Sequence, residues 1–380
     1  MSDVHRLRGL ILSSIFIAVL TFALLNTGCS SSKKPKPITR LPEDFPSNLA
    51  TNSGQSALNT RGSTPVNPVF SQTVPSLVPT NSIVIAKPNL VAEPISPMVS
   101  GWATNESDKS DWISVSAWSI RQGKPVPELS LGSRVLKTAG VRCFLGFEPR
   151  VSGGSLYLHP LDVQKTLEPL LKVSPLVAHR TVMLDPGHGG LSVGTRSIVG
   201  NRYEKELSLD WARRLKPLLE ARGWRVFLTR TNDFEVGLAE RVRVADTSGA
   251  NLFISLHFNS AFPNQAPSGI ETYCLTPSGM PSTLVRGYPD DITATFPNNA
   301  YDADNLRLGF RIQRSLLSLS GAPDRGIRRA RFMEVLRGQK RAAVLIEGGY
   351  LSNPEDARRI GKPEYRQRLA LGVAQALEAP

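Results

Sequence analysis

The stretch Thr181-Val-Met-Leu-Asp-Pro-Gly-His-Gly-Gly190 decides how the rest of the chain is read. Val182 to Leu184 is an apolar run with the length of a buried strand. Asp185-Pro-Gly187 stops it, because proline cannot donate to a ladder and glycine supplies turn geometry. His188 follows at once, among glycines, at the carboxyl end of the strand. Open α/β sheets carry their ligands at that end. A single histidine in a turn is weak evidence of a metal, so the reading depends on what else converges there.

Downstream, strands and helices alternate. Glu204 to Ala221 repeats Leu207, Trp211, Leu215 and Leu218 at helical spacing, and Gly223 ends it. Trp224–Thr229 reads as a second strand, Gly237–Ser248 as a short helix and Asn251–His257 as an apolar third strand, with Gly269–Leu275 close behind. A polar, proline-rich stretch, Thr276–Ala300, leads to a helix from Asp302 to Leu319. Ala342–Glu347 is another buried strand. Asn353-Pro-Glu-Asp356 carries the cap, first-turn proline and acids of a helix start. A last helix bears Tyr365, Leu369, Val373 and Leu377. Apolar strands alternating with helices predict an α/β domain over residues 176–380, a mostly parallel twisted sheet with helices on both faces.

In such a sheet the carboxyl ends of the strands share one edge. His188 follows the first strand, His257 closes the third and Glu347 closes the late one, while Glu204 opens the helix that leaves the first loop. The topology therefore gathers two histidines and two glutamates on one rim. Each alone could be a solvated loop residue or a helix cap; the four together point to a metal site. Two imidazoles and one carboxylate leave a zinc ion a fourth position for water, the pattern of catalytic sites. A hydrolase also needs a carboxylate that is not a ligand, to take the water's proton and pass it to the leaving nitrogen. Glu204 and Glu347 must divide these two roles, and position in the chain does not say how.

The domain resembles the zinc-dependent N-acetylmuramoyl-L-alanine amidases of the AmiA/AmiB/AmiC type. The resemblance rests on Leu184-Asp-Pro-Gly-His-Gly-Gly190, Tyr203-Glu-Lys-Glu-Leu-Ser-Leu209, Leu228-Thr-Arg-Thr-Asn-Asp233 with Leu238-Ala-Glu-Arg241, and Asn251-Leu-Phe-Ile-Ser-Leu-His-Phe-Asn259. Asn298-Asn-Ala-Tyr-Asp302, Asp324-Arg-Gly-Ile327 and Val344-Leu-Ile-Glu-Gly-Gly-Tyr-Leu-Ser-Asn353 complete it, in order. It implies that His188, Glu204 and His257 bind Zn²⁺ and that Glu347 is the catalytic carboxylate. It also implies cleavage of the amide between N-acetylmuramic acid and the L-alanine of the peptidoglycan stem peptide. Phe258 and Gly349-Tyr350 depart from the usual pattern and are expected to bear on substrate fit. Arg230 and Arg241 match the resemblance and could meet anionic wall groups or brace loops. Asn259 could point with His257 towards substrate or serve a turn.

The first half of the chain reads differently. Met1–Cys29 has a basic start, Arg6 and Arg8, then the uncharged apolar run Leu10–Leu25, short for a membrane span of about 20 residues. It ends at Asn26-Thr-Gly-Cys29 and resembles a lipoprotein signal peptide, which makes Cys29 the expected lipidation site. Residues 30–80 are rich in Ser, Thr, Pro and Asn and read as a disordered tether. Residues 81–175 carry short alternating runs, among them Trp112–Ser116, Val141–Leu145 and Ser155–His159, and predict a small β-rich domain closed by a helix from Leu161 to Leu171. Trp102, Trp112 and Trp118 could form a glycan platform, but core packing is the simpler role. His159 has no nearby partner and reads as structural. Cys143 and Cys274 show no metal spacing and read as buried apolar residues.

The 380 residues carry a formal net charge of +13 with 41% hydrophobic content. That charge favours anionic surfaces. With no nucleic-acid motif in the chain, the expected partners are peptidoglycan and, through a lipid anchor, a membrane, which places the protein in the cell envelope. Two rivals remain. A carboxypeptidase-type zinc peptidase would carry His-x-x-Glu, absent around His188. A non-catalytic wall-binding or activator protein on the same fold would have no use for Glu347. Thr276–Ala300 holds no long amphipathic pattern and is expected to be a loop that leaves the site open.

Overall fold

The computed structural model describes residues 111–172, 179–286 and 289–378. The signal segment with Cys29, the tether, the first part of the expected β-rich domain and Trp102 lie outside them. In chain order the elements begin with β1 (Ile113–Ser114), α1 (Val115–Gln122), β2 (Glu128–Leu129), β3 (Val135–Thr138), β4 (Val141–Phe144), β5 (Arg150–Ser152) and β6 (Ser155–Leu158). Helices α2 (Pro160–Asp162) and α3 (Glu168–Leu171), joined by a π-turn, follow. Then come β7 (Thr181–Pro186), α4 (Glu204–Glu220), β8 (Arg225–Leu228), α5 (Leu238–Ser248), β9 (Leu252–Asn259) and β10 (Ile270–Cys274). The chain ends with α6 (Asp302–Ser320), β11 (Asp324–Arg329), α7 (Glu334–Arg337), β12 (Ala342–Tyr350), α8 (Pro354–Gly361) and α9 (Pro363–Ala376). No helix among the described residues is long and apolar enough to cross a membrane.

Nine strands form one mixed sheet in the order β2-β3-β4-β11-β10-β12-β9-β7-β8. The half that holds the candidate residues is parallel, β12, β9, β7 and β8 running together. β10 is antiparallel to β12. The reason lies in the connection: residues 260–269 are too few to carry the chain back across the sheet, which a parallel partner requires. β10 therefore starts at the edge where β9 ends. β11 and β4 then continue parallel to β10.

The sheet does not stop at the boundary expected near residue 175. β4 pairs with β11 through Cys143 and Ile327, so β2–β4 extend the same sheet. Leu136, Cys143, Leu158 and Leu167 share one buried cluster with Leu184, Trp211 and Ile346. The run at Trp112–Ser116 is helical rather than a strand beyond Ser114, whose hydroxyl accepts from Ala117 N and caps α1. Trp118 is core at 3% exposure, and Trp112 packs edge-on to His159 with Arg150 over its ring. His159 caps α2 by accepting from Leu161 N. Cys143 and Cys274 are buried free thiols, and burial pushes both upward in pKa, Cys274 to about 12.

Alternation along the strands divides the core. Val182, Leu184, Ile254, Val344 and Ile346 face α4, α6 and α9. Met183, Phe253, Tyr273, Ala343 and Leu345 face a thinner layer that includes Val335 and Leu336 of α7. Asp185, His257, Glu347 and Glu271 alternate onto this thinner side.

Candidate metal centre

The site begins with a buried carboxylate that holds the first loop. Asp185, 1% exposed, accepts from Thr229 Oγ1 at 2.6 Å, Arg241 Nη1 at 2.6 Å and Ser255 Oγ at 2.7 Å. Arg241 also donates to the carbonyls of Pro186 and His188 at 3.0 and 2.8 Å. Arg230 donates to the carbonyls of Pro186, Gly187 and Lys205 at 3.0, 2.8 and 2.8 Å. Two arginines therefore grip the turn that carries His188. At 1% and 4% exposure, Arg230 and Arg241 have no face for substrate, and the bracing role is theirs.

That grip holds His188 at φ +61°, a left-handed conformation rare outside glycine. Its Nδ1 lies 3.1 Å from Ser192 Oγ, which fixes the ring and turns Nε2 to 3.1 Å from Glu204 Oε2. His257 Nδ1 lies 2.8 Å from Glu204 Oε1. Glu204, at the first turn of α4, is 4% exposed and also accepts from Thr195 N at 3.0 Å and Phe258 N at 3.2 Å. Burial would raise its pKa, but hydrogen bonds from His188 and His257 outweigh burial and hold it well below the usual carboxylate range.

The ligating atoms of His188, Glu204 and His257 all lie within 4.8 Å of one another. The backbone makes room for this. A Cβ on Gly187 would fall 2.2 Å from His257 Cε1, and one on Gly194, at φ +69°, would fall 2.6 Å from Glu204 Oε2. Two imidazoles and a carboxylate, with their ligand atoms this close together, fit a divalent cation of the zinc type.

Glu347 stands outside the three. It pairs in register with His257 on β9, and its Oε2 is buried without a hydrogen-bond partner among the described residues. Burial, then the charges of Glu204 and Glu271, push its pKa well up, against a smaller pull from Arg286. A cavity of about 910 Å³ lined by Thr195, Ile198, Asn201, Ser260, Phe262 and Ser352 adjoins the cluster through Thr195.

Residues 182–379 match the family model Amidase_3, N-acetylmuramoyl-L-alanine amidase, over more than half of the chain. The chain belongs to this family. It is 32% identical over 198 residues to the N-acetylmuramoyl-L-alanine amidase LytC of Bacillus subtilis (strain 168), a match covering 52% of this chain and 34% of LytC. It is 28% identical over 222 residues to the N-acetylmuramoyl-L-alanine amidase AmiA of Escherichia coli (strain K12), covering 52% of this chain and 75% of AmiA. Among solved structures, the N-acetylmuramoyl-L-alanine amidase of Clostridium difficile 630 is 32% identical, covers 53% of this chain and 96% of that one, and has a TM-score of 0.44. The chain spans about a third of the length of LytC.

Within this amidase domain the structure brings together His188, Glu204, His257 and Glu347. It directs Asn259 elsewhere: Asn259 Nδ2 donates to Glu271 Oε1 at 2.6 Å. The expectation that Phe258 bears on substrate fit is corrected by its position. The ring is 1% exposed and packs on Trp211 across the sheet from His257. Glu271 went unread in the sequence because it lies inside a five-residue strand, Ile270–Cys274, with no second candidate residue beside it to mark a site. Its tyrosine partner, Tyr350, donates to Glu271 Oε1 at 2.7 Å.

Proposed function

We propose that the protein is a peptidoglycan hydrolase that cleaves the amide between N-acetylmuramic acid and L-alanine with a zinc ion held by His188, Glu204 and His257. The observation that carries this reading is the position of Glu347: a carboxylate outside the three-residue cluster, in register with one of its histidines. A zinc ion at the cluster would supply Lewis acidity and lower the pKa of water to about 7. Glu347 takes the proton of the attacking water and hands it to the leaving nitrogen. Its raised pKa suits both halves of that task, since a carboxyl that ionises nearer neutrality is a stronger base and can hold a proton for transfer. Glu204 would be the carboxylate ligand beside the two imidazoles. The 910 Å³ cavity includes Thr195, whose backbone N–H donates to Glu204, and offers room for substrate beside the cluster.

The envelope is the proposed location, with Cys29 carrying a lipid anchor and residues 30–80 giving reach from the membrane to the wall. The +13 net charge suits that setting. Digestion of purified sacculi with and without a chelator tests the whole reading. Zinc-dependent release of intact stem peptides beginning with a free L-alanine amine is expected. Release of muropeptides with sugar attached, or release untouched by the chelator, would overturn it.

A further inference from the structure

Beyond Glu347, on the side away from the histidines, the sheet carries an unbalanced charge. Glu271 is the cross-strand partner of Glu347 on β10 and is 1% exposed. Its Oε2 faces two guanidinium groups, Arg328 Nε at 2.8 Å and Arg325 Nε at 3.3 Å. Its Oε1 is already taken by Asn259 and Tyr350. One carboxylate thus answers two arginines. Among the described residues the terminal Nη1 and Nη2 of Arg325 have no hydrogen-bond partner, and the side chain is 28% exposed over the Tyr350 ring, 4.8 Å from its centroid.

The chemistry says which end of the substrate meets this charge. This step rests on the amidase reading. Glu347 passes its proton to the L-alanine nitrogen, so the peptide leaves past Glu347, while the carbonyl of the sugar-borne acid stays with the His188–Glu204–His257 cluster. The next groups past Glu347 are Glu271 and its arginines. We propose that Arg325, supported by Arg328, is a specificity residue that binds a free carboxylate of the stem peptide next to the L-alanine. The enzyme therefore prefers stems whose second residue is acidic over stems in which that carboxyl is amidated. A guanidinium fork fits a carboxylate with two parallel hydrogen bonds and an amide only in part.

The test compares muramoyl-L-alanyl-γ-D-glutamyl-L-lysine with the same compound carrying D-isoglutamine, the γ-carboxyl being taken up in the peptide bond in both, on the zinc-loaded full chain. The parent is expected to show a KM about tenfold or more lower for the acid. Arg325→Ala is expected to erase that ratio chiefly through KM, and Arg325→Lys, which keeps the charge, to restore part of it. Binding of free L-alanyl-γ-D-glutamyl-L-lysine and its D-isoglutamine counterpart to the metal-free protein is expected to show the same preference, lost in Arg325→Ala. Equal losses on both substrates would reduce Arg325 to a support for Glu271 and overturn the subsite alone. Hydrolysis of neither substrate by the parent, with the peptide preference intact, would overturn the amidase reading and leave the carboxylate site standing. A parent with no preference in either assay would overturn the subsite.

Discussion

Glu347 stands directly across from His257, paired in register on parallel strands with both residues on the same face of the sheet. The distance between a candidate ligand and a candidate base is thereby set by strand spacing and not by a flexible loop. Glu347→Gln keeps the shape of the side chain and removes its basicity. The variant is expected to retain metal at the parent stoichiometry while kcat falls about 10²–10⁴-fold. Metal content by elemental analysis beside peptide release checks it. Loss of metal in the variant would make Glu347 a ligand and Glu204 the base.

The raised pKa of Glu347 gives a signed prediction. A base that must be ionised works only above its pKa, so the acid limb of kcat/KM should follow the ionisation of Glu347. Glu271 is one of the negative charges that raise its pKa. Glu271→Gln removes that charge and leaves Arg325 and Arg328 unopposed, so the limb should move to lower pH. A pH profile of kcat/KM for parent and variant reads this directly. A limb that stays in place or moves upward would show that Glu271 does not act on Glu347.

Much of this site was legible because its residues sit where strands end. His188, His257 and Glu347 each close an apolar run, and the edge they share follows from parallel strands alone. What escaped was strand order. β12 lies between β9 and β10 although it comes last in the chain, and nothing in the run Ile270–Cys274 announces a neighbour some seventy positions later. The pairing of Glu271 with Glu347 was therefore invisible. So was the joining of β4 to β11, because Asp324–Arg329 has four charged residues in six and does not read as a buried strand. Arg230 and Arg241 were ambiguous for a different reason: an arginine's sequence context does not say whether its guanidinium meets carbonyls or solvent.

The Asp185–Arg241 pair predicts the largest loss of stability. Both side chains are at most 4% exposed, and the pair ties β7 to α5. Asp185→Asn leaves a buried guanidinium without its counter-charge, a change that costs about 3–5 kcal/mol. Thermal unfolding of the metal-free variant should report it, with weaker metal binding as the His188 turn loosens. An unchanged unfolding temperature would show that the carbonyls of Val236, Pro186 and His188 suffice to hold Arg241.

The loop expected at Thr276–Ala300 holds no α-helix among its described residues, and Asp290 is one of the groups that tie it down. Asp290 accepts from Ser282 N at 2.7 Å and faces Arg331 at 2.8 Å, while Arg331 Nη2 donates to the carbonyls of Pro277 and Met280 at 2.7 and 2.6 Å. Burial raises the Asp290 pKa, but Ser282 and Arg331 outweigh it and the net shift is downward. A depressed carboxylate contributes stability above its unfolded pKa of about 3.9 and loses it as pH falls through the lower folded value. Asp290→Asn should therefore loosen the loop at neutral pH, at a cost of about 1–3 kcal/mol for the groups left unpaired. Limited proteolysis should cut the variant between residues 282 and 292 well before the parent, and the difference should shrink below about pH 4, where the carboxyl protonates first in the unfolded chain and, at still lower pH, in the folded loop. Equal cutting of the two proteins at neutral pH would mean that the loop is held by its other contacts, such as Thr283 on Arg329.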